Sequence, residues 1–167
     1  PYTEIVHDRI VLETFRGCTH GCRFCQAGMI YRPVREKTYD TLLKQARELI
    51  KNTGYQEISL NSLSTCDYSD IQRLITELMN EHSEDKVAIA LPSIRVDAFS
   101  VDLIKEIQKV KKTGLTFAPE AGSQRMRDII NKGLTEDKIL EAAKNAFESG
   151  WSTIKLYFII GLPYETL

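Results

Sequence analysis

Strand-like apolar segments alternate with amphipathic helix-like segments along the whole chain, and this alternation limits the fold more than any other feature. Residues 9–15 (RIVLETF), 57–60 (EISL), 86–91 (KVAIAL), 115–118 (LTFA) and 152–160 (STIKLYFII) have the β-branched and aromatic content of strands. Between them, Leu42, Leu43, Ala46, Leu49 and Ile50 repeat at helical spacing behind Thr38 as a cap, and Gly54 stops the run. Ser69 with Gln72 reads as a capping box ahead of Ile71, Leu74, Ile75, Leu78 and Met79. A helix from Ser100 carries Leu103, Ile104, Ile107 and Val110 and ends at Gly114. A short helix is expected over 123–131, and a longer one from Thr135 to Ser149 with Gly150 as its stop. Such alternation builds βαβ units with parallel strands, so the fold class is α/β with about five βα units. A run as apolar as LYFII fits a strand covered on both faces.

In parallel α/β folds the loops after the strand C-termini carry the chemistry. Here those loops are RGCTHGCRFCQAG (16–28), NSLSTCD (61–67), PSIRVD (92–97), PEAGSQR (119–125) and GLPYET (161–166). They hold the unusual residues of the chain and are expected to converge at one end.

Composition narrows the setting. With 167 residues, 43% of them hydrophobic, the chain can bury one core of ordinary size. The formal charge of −1 is mixed along the sequence, with no basic tract for nucleic acid and no acidic tail. The longest apolar run is far too short to span a bilayer. No secretion leader is readable, and the chain opens on Pro1 without a methionine, so a processed or excised piece is expected. Four cysteines without an export signal suggest a reducing, cytoplasmic setting, where clustered cysteines bind metal more often than they pair.

Cys18, Cys22 and Cys25 stand in C-x3-C-x2-C spacing. A closed structural zinc site wants four ligands, usually as two separated pairs, and only Cys66, beyond another strand, could complete it. Three thiolates on a [4Fe–4S] cluster would leave one iron open to the amine and carboxylate of a small molecule. Three unrelated thiols are the remaining alternative.

This spacing, with Phe24 directly before the last cysteine, is similar to the motif of the radical S-adenosylmethionine (radical SAM) enzymes. The stretches LTFAPEAGSQRMRDIINKG and KLYFIIGLPYET resemble an uncharacterised branch of that superfamily, related to its cobalamin-dependent and methylthiotransferase-like members. The resemblance covers essentially the whole chain. It implies a partial parallel (β/α)6 TIM-like barrel, here truncated after the fifth strand. Residues 1–167 would then be a radical SAM core domain, incomplete at its C-terminal side. It further implies a [4Fe–4S] cluster on Cys18, Cys22 and Cys25, with S-adenosylmethionine on the open iron. A reducing donor would drive its cleavage to methionine and a 5′-deoxyadenosyl radical. Cobalamin, where used, would come through an upstream domain that nothing in this chain resembles. The substrate is not readable.

Other positions follow from the same resemblance. Phe24 would present its backbone to the adenine, or else serve as a core aromatic. Ser62 and Ser64 lie where the superfamily has a GGE-like segment that receives the methionine amino group. Lacking those glycines and the glutamate, they are equally read as turn formers. Glu120 matches a glutamate near the ribose and methionine moiety, against the alternative of a solvated loop residue. Arg95 and Arg125 could each hold a carboxylate in a bidentate way. Their alternative is a salt bridge, for instance Arg95 with Asp97 or Glu120. Lys155 shares a strand face with Tyr157 and Ile159 and would be a ligand group if that face lines the barrel. Otherwise it reaches solvent. Cys66 is expected as a buried small residue and His20 as a solvated loop residue.

Two readings of function stand at this point. One is an enzyme core that makes a carbon radical from S-adenosylmethionine. The other is a non-catalytic iron–sulfur or metal module acting as a scaffold or electron carrier. The fifth strand, left at a sheet edge, is expected to promote self-association.

Overall fold

The computed structural model of the chain describes residues 6–166 apart from 83, 93, 97–104, 106 and 108–113. In chain order the elements are β1 (Ile10–Glu13), β2 (Phe15–Arg16), α1 (Ala27–Ile30), β3 (Arg35–Glu36), α2 (Tyr39–Thr53) and β4 (Glu57–Asn61). A 3-10 turn (Thr65–Asp67), α3 (Ile71–His82), β5 (Ala88–Ala90), β6 (Leu115–Glu120), α4 (Gln124–Ile129), α5 (Glu136–Glu148) and β7 (Ile154–Phe158) complete them.

The long strands are parallel, as the alternation requires. They form two arcs: β1-β4-β5, with Ile10 opposite Ile58 and Ile58 opposite Ile89, and β6-β7, with Leu115 opposite Ile154. Among the described residues β5 does not pair with β6. The expected first strand stops at Thr14. Its N–H donates to Asn61 O (3.0 Å) and its carbonyl accepts from Lys37 N (3.0 Å), after which β2 turns away to pair antiparallel with β3.

Local chemistry sets the helix ends. The Thr38, Ser123 and Thr135 hydroxyls accept from the N–H of Thr41, Met126 and Lys138, each cap contributing about 1 kcal/mol. Gly54 ends α2 in the left-handed conformation. At α3 the capping box is replaced: the Ser69 N–H donates to Glu36 Oε1 on β3 (3.2 Å). Most of the helix expected from Ser100, including Leu103, Ile104 and Val110, lies outside the described residues. Ile107 is described and buried in the first core.

That first core lays Leu42, Ala46, Leu74, Ile75 and Leu78 of α2 and α3 on Leu12, Ile58, Leu60 and Ile89 of the first arc. A second core gathers Leu115, Phe117, Ala142, Ala146 and Trp151 under the other arc, and Val96, just beyond β5, belongs to it. The first core therefore hands over to the second through the loop after β5. Contrary to the reading of LYFII as doubly covered, Leu156, Tyr157 and Phe158 are 43%, 50% and 52% exposed. No described element lies against these β7 side chains closely enough to bury them.

Arg47 and Glu81 clamp α2 to α3 through a two-pronged ion pair, with Nε to Oε2 at 2.8 Å. The Arg47 hydrogen bond holds the Glu81 carboxyl below its usual range. A depressed carboxyl stabilises the fold above its unfolded-state value, and that stability is lost as pH falls through the folded value. Arg47→Gln should therefore shift the urea midpoint at neutral pH and have progressively less effect as Glu81 is protonated in acid. An equal shift at both extremes would remove the pair from the pH dependence.

β2 and β3 pinch residues 17–33 into a closed excursion. Gly17 sits at the pinch with φ +100°, and a Cβ there would lie 2.4 Å from Tyr31 O and 3.0 Å from Pro33 O. The Arg32–Pro33 peptide beside it is cis. Gly54 also has positive φ (+70°) but nothing within 4 Å of a Cβ. Gly54→Ala should thus cost only the left-handed strain, about 1–2 kcal/mol, and Gly17→Ala clearly more. Urea denaturation of the two variants tests this, and equal losses would mean that the neck gives way freely.

Candidate metal and cofactor site

Cys18, Cys22 and Cys25 all lie on this excursion, beyond the C-terminal end of β1. All four cysteines of the chain are free; Cys22 is buried and the others are half-buried. A tight turn joins two of the three, with Cys25 N donating to Cys22 O at 3.0 Å. The Gly28 N–H, in α1, donates to Cys25 Sγ at 3.4 Å. Arg32 Nε holds the far end of α1 through Gly28 O (2.8 Å).

Two staples fix the excursion from opposite sides. On one side His20 Nε2 meets Asp67 Oδ2 at 2.5 Å, tying it to the 3-10 turn after β4. His20 is therefore engaged, not simply solvated. On the other, Arg23 N donates to Ile130 O (2.9 Å) and the Arg23 guanidinium donates to Ile129 O. Asn131 Nδ2 donates to Gly21 O (2.9 Å) on the same side. The loops after β4 and after α4 thus both reach the cysteines.

Lys132 lies next to this second staple. Its Nζ is 3.2 Å from Glu120 Oε1, and the two side chains are only 10% and 15% exposed. The same ammonium stands 6.0 Å from the Phe24 ring centroid. The Lys132 carbonyl accepts from Arg95 Nη2 at 3.2 Å. Phe24, Arg95 and Glu120, three of the residues singled out from sequence, are therefore brought together around one lysine. Glu120 is not solvated, and the cation beside it is Lys132 rather than Arg95. Asp97, the other expected partner of Arg95, lies outside the described residues.

A cleft of about 350 Å³ opens at the ends of β1 and β4, against the base of the excursion. Gly17, Tyr31, Asn61, Ser62 and Leu63 are among its lining residues. The Ser62 hydroxyl is used within its own loop, donating to Thr65 Oγ1 (3.1 Å) and accepting from Ser64 N (3.3 Å). Ser64 Oγ is buried without a hydrogen-bond partner among the described residues. Arg125 reaches the loop after β7, its Nη2 donating to Tyr164 O at 3.0 Å. Lys155 stands apart, exposed near the start of β7 with its ammonium 5.0 Å from the Tyr157 ring centroid. Cys66 is half-buried in the 3-10 turn and engaged within the fold.

Sequence reading missed Lys132, Asn131 and Asp67. The available signal was the INKG turn, where Asn131 (φ +54°) and Gly133 (φ +66°) both take left-handed backbone. Such a turn reads from sequence only as the end of a helix.

The donor set suits an iron–sulfur cluster. Three unpaired thiols share one pinned loop, and one of them already accepts an amide hydrogen bond. Among the described residues no three Cys, His, Asp or Glu side chains converge as ligands of a single ion must. Cluster thiolates each hold a different iron, so they need no common focus.

Comparison with known proteins gives the same direction. Residues 12–167 match the Radical SAM superfamily. An uncharacterized protein of Methanocaldococcus jannaschii is 38% identical over 156 residues, 93% of this chain and 34% of that protein. The ribosomal protein uS12 methylthiotransferase RimO of Prochlorococcus marinus is 27% identical over 167 residues, 92% of this chain and 35% of the enzyme. This chain therefore spans about a third of the length of these relatives. In structure it is similar to the cobalamin-dependent S-adenosylmethionine radical enzyme OxsB, with a TM-score of 0.66 at 18% identity over 90% of this chain and 23% of that one. With its α/β fold of parallel strands and its three-cysteine excursion at their C-terminal end, this chain belongs to the radical SAM superfamily.

Proposed function

We propose that this chain is the cluster- and S-adenosylmethionine-binding core of a radical SAM enzyme, with its two arcs forming part of a (β/α) barrel. The observation that carries the reading is the meeting of the cysteine excursion with the loops after β4 and α4. Membership of the superfamily brings a [4Fe–4S] cluster and S-adenosylmethionine as the cofactors. When bound, they supply one-electron reductive cleavage of the sulfonium to methionine and a 5′-deoxyadenosyl radical.

The chain's own residues have distinct tasks in this reading. Cys18, Cys22 and Cys25 would hold the cluster as thiolates, and the Gly28 N–H orients the Cys25 sulfur. The neck at Gly17 and the two staples hold the loop in place, so little further ordering is needed on loading. Glu120 would accept hydrogen bonds from the ribose or the methionine amine. The cleft beside Asn61 and Ser62 would take the polar end of S-adenosylmethionine, with Phe24 on the adenine side. Arg95 acts through the Lys132 carbonyl. Arg125 holds the loop after β7, and Lys155, near the start of that strand, lies away from the end that carries Glu120. Use of cobalamin belongs to the rest of a longer protein, as does the choice of substrate.

Four free cysteines suit a reducing compartment, the cytoplasm, where a low-potential donor is at hand. Among the described residues no helix is long and apolar enough to cross a membrane.

Anaerobic reconstitution with iron and sulfide, followed by dithionite, should yield 5′-deoxyadenosine. A loaded cluster with no cleavage would favour the scaffold or electron-carrier reading. Cys22→Ser should abolish iron retention and the broad visible absorption, while Cys66→Ser should leave both intact. Equal loss from the two would sink the ligand assignment.

In the reconstituted protein, Glu120→Gln should weaken S-adenosylmethionine binding about ten- to a hundredfold at unchanged iron content, as expected for one hydrogen bond to a charged group. Calorimetry would measure it, and unchanged affinity would remove Glu120 from the site.

The exposed face of β7 and its free edge should make the isolated chain associate. Sedimentation velocity should show dimers or larger species that Phe158→Lys suppresses. A monomer at all concentrations would count against this.

A further inference from the structure

We propose that Lys132 is the positioning residue that ties the Glu120 carboxylate to the cysteine excursion and, through that carboxylate, sets the affinity for S-adenosylmethionine. The second half of this statement rests on the function proposed above.

Glu120 sits on strained backbone, and Lys132 is flanked on both sides by left-handed residues. Glu120 ends β6 at φ +67°, an uncommon conformation for a residue with a side chain, and Lys132 lies between Asn131 at +54° and Gly133 at +66°. Such conformations persist only where the surroundings over-determine them. The surroundings do so here. Lys132 N donates to Arg127 O (2.8 Å), Lys132 O accepts from Arg95, and Glu120 O accepts from Ile159 N (2.8 Å). The result is a nearly buried ammonium aimed at Glu120 Oε1. Among the described residues Glu120 Oε2 makes no hydrogen bond, so the carboxylate has one oxygen held and one to offer.

Lys132 also faces Phe24, whose neighbour is Cys25. One cation therefore spans the end of β6 and the cysteine excursion. Loss of the cation would leave a nearly buried carboxylate without its partner, free to turn away. A residue acting through Glu120 has no effect once the carboxylate is gone. A residue touching the ligand itself keeps its effect.

The test is a double-mutant cycle on the reconstituted protein, read by calorimetry with S-adenosylmethionine and by iron content. Lys132→Met should weaken binding as much as Glu120→Gln, about ten- to a hundredfold, at unchanged iron. Lys132→Met in the Glu120→Gln background should add almost nothing, and Lys132→Arg should restore most of the affinity. Additive losses, or full affinity in Lys132→Met, would overturn the proposal. Should Lys132→Met fail to fold with its stranded carboxylate, the charge-free double variant compared with Glu120→Gln carries the same decision.

A second readout needs neither cofactor. In the metal-free chain, Lys132→Met should speed amide hydrogen exchange at Phe24 and Cys25 several-fold. Lys144→Met, which removes an exposed pair with Glu148 on α5, should not. Unchanged exchange at Phe24 and Cys25 overturns the tie between Lys132 and the excursion. If the unmutated protein binds no S-adenosylmethionine while this exchange does respond, the proposed function fails and the tie stands.

Discussion

Arg127 is 1% exposed, and among the described residues its guanidinium bonds to backbone carbonyls and to one side-chain amide. Its Nε donates to Leu134 O (2.9 Å), Nη1 to Ala121 O (3.0 Å) and Gly122 O (2.9 Å), and Nη2 to Gln124 Oε1 (3.1 Å). Burying a cation costs several kcal/mol unless its donors are met, so these carbonyls and the arginine constrain one another. Ala121 and Gly122 lead from β6 into α4, and Leu134 leads from α4 into α5. The arginine thereby locks both ends of α4 to each other. Glu120 precedes one end and Lys132 sits at the other. Their ion pair, the Asn131 staple and the contact with Phe24 all hang on that lock.

What could be read from sequence was what depends on neighbours in sequence. Thr38 caps as expected, and the helices expected from 123 and from Thr135 begin there, because a helix start needs only the next turn of chain. The 3.6-residue stripes of α2 and α3 face the core because burial selects that period. The meeting of the cysteine loop with the loop after β4 and the end of β6 was likewise legible, since parallel strands put their C-terminal ends together. The failures share one cause: partners far apart in sequence. Two-residue strands such as β2 and β3 carry no periodicity, and the break between β5 and β6 leaves no compositional mark. His20 with Asp67, Arg23 with Ile129 and Asn131 with Gly21 are separated by 47, 106 and 110 positions. LYFII looked doubly covered because an apolar run reports a preference for burial, not a neighbour that provides it.

The two arcs differ in how they are held. α2 and α3 cover the first with a broad aliphatic core, while the second rests on a smaller cluster around Phe117, Leu134 and Trp151. Between them the described residues show no strand pairing, and the joint is made by side chains and loops. Val96 enters the second core from the β5 side, and Arg95 beside it reaches the Lys132 carbonyl. The residues that gather near the cysteines therefore sit at the least regular part of the sheet. Backbone there is free of ladder hydrogen bonds and can present carbonyls, amides and left-handed turns to a ligand.

A loop pinched at its base searches a smaller volume than the same loop hanging from two distant strands. Gly17 lies against Tyr31 O and Pro33 O, and β2 pairs with β3 immediately below. The conformational freedom of residues 17–33 is therefore largely surrendered when the neck closes. In the proposed cluster site, the local concentration of each further thiolate would be set by three or two intervening residues rather than by the whole polypeptide. The excursion would in this sense be a chelator tethered at both ends, its avidity drawn from the fold and its chemistry from sulfur.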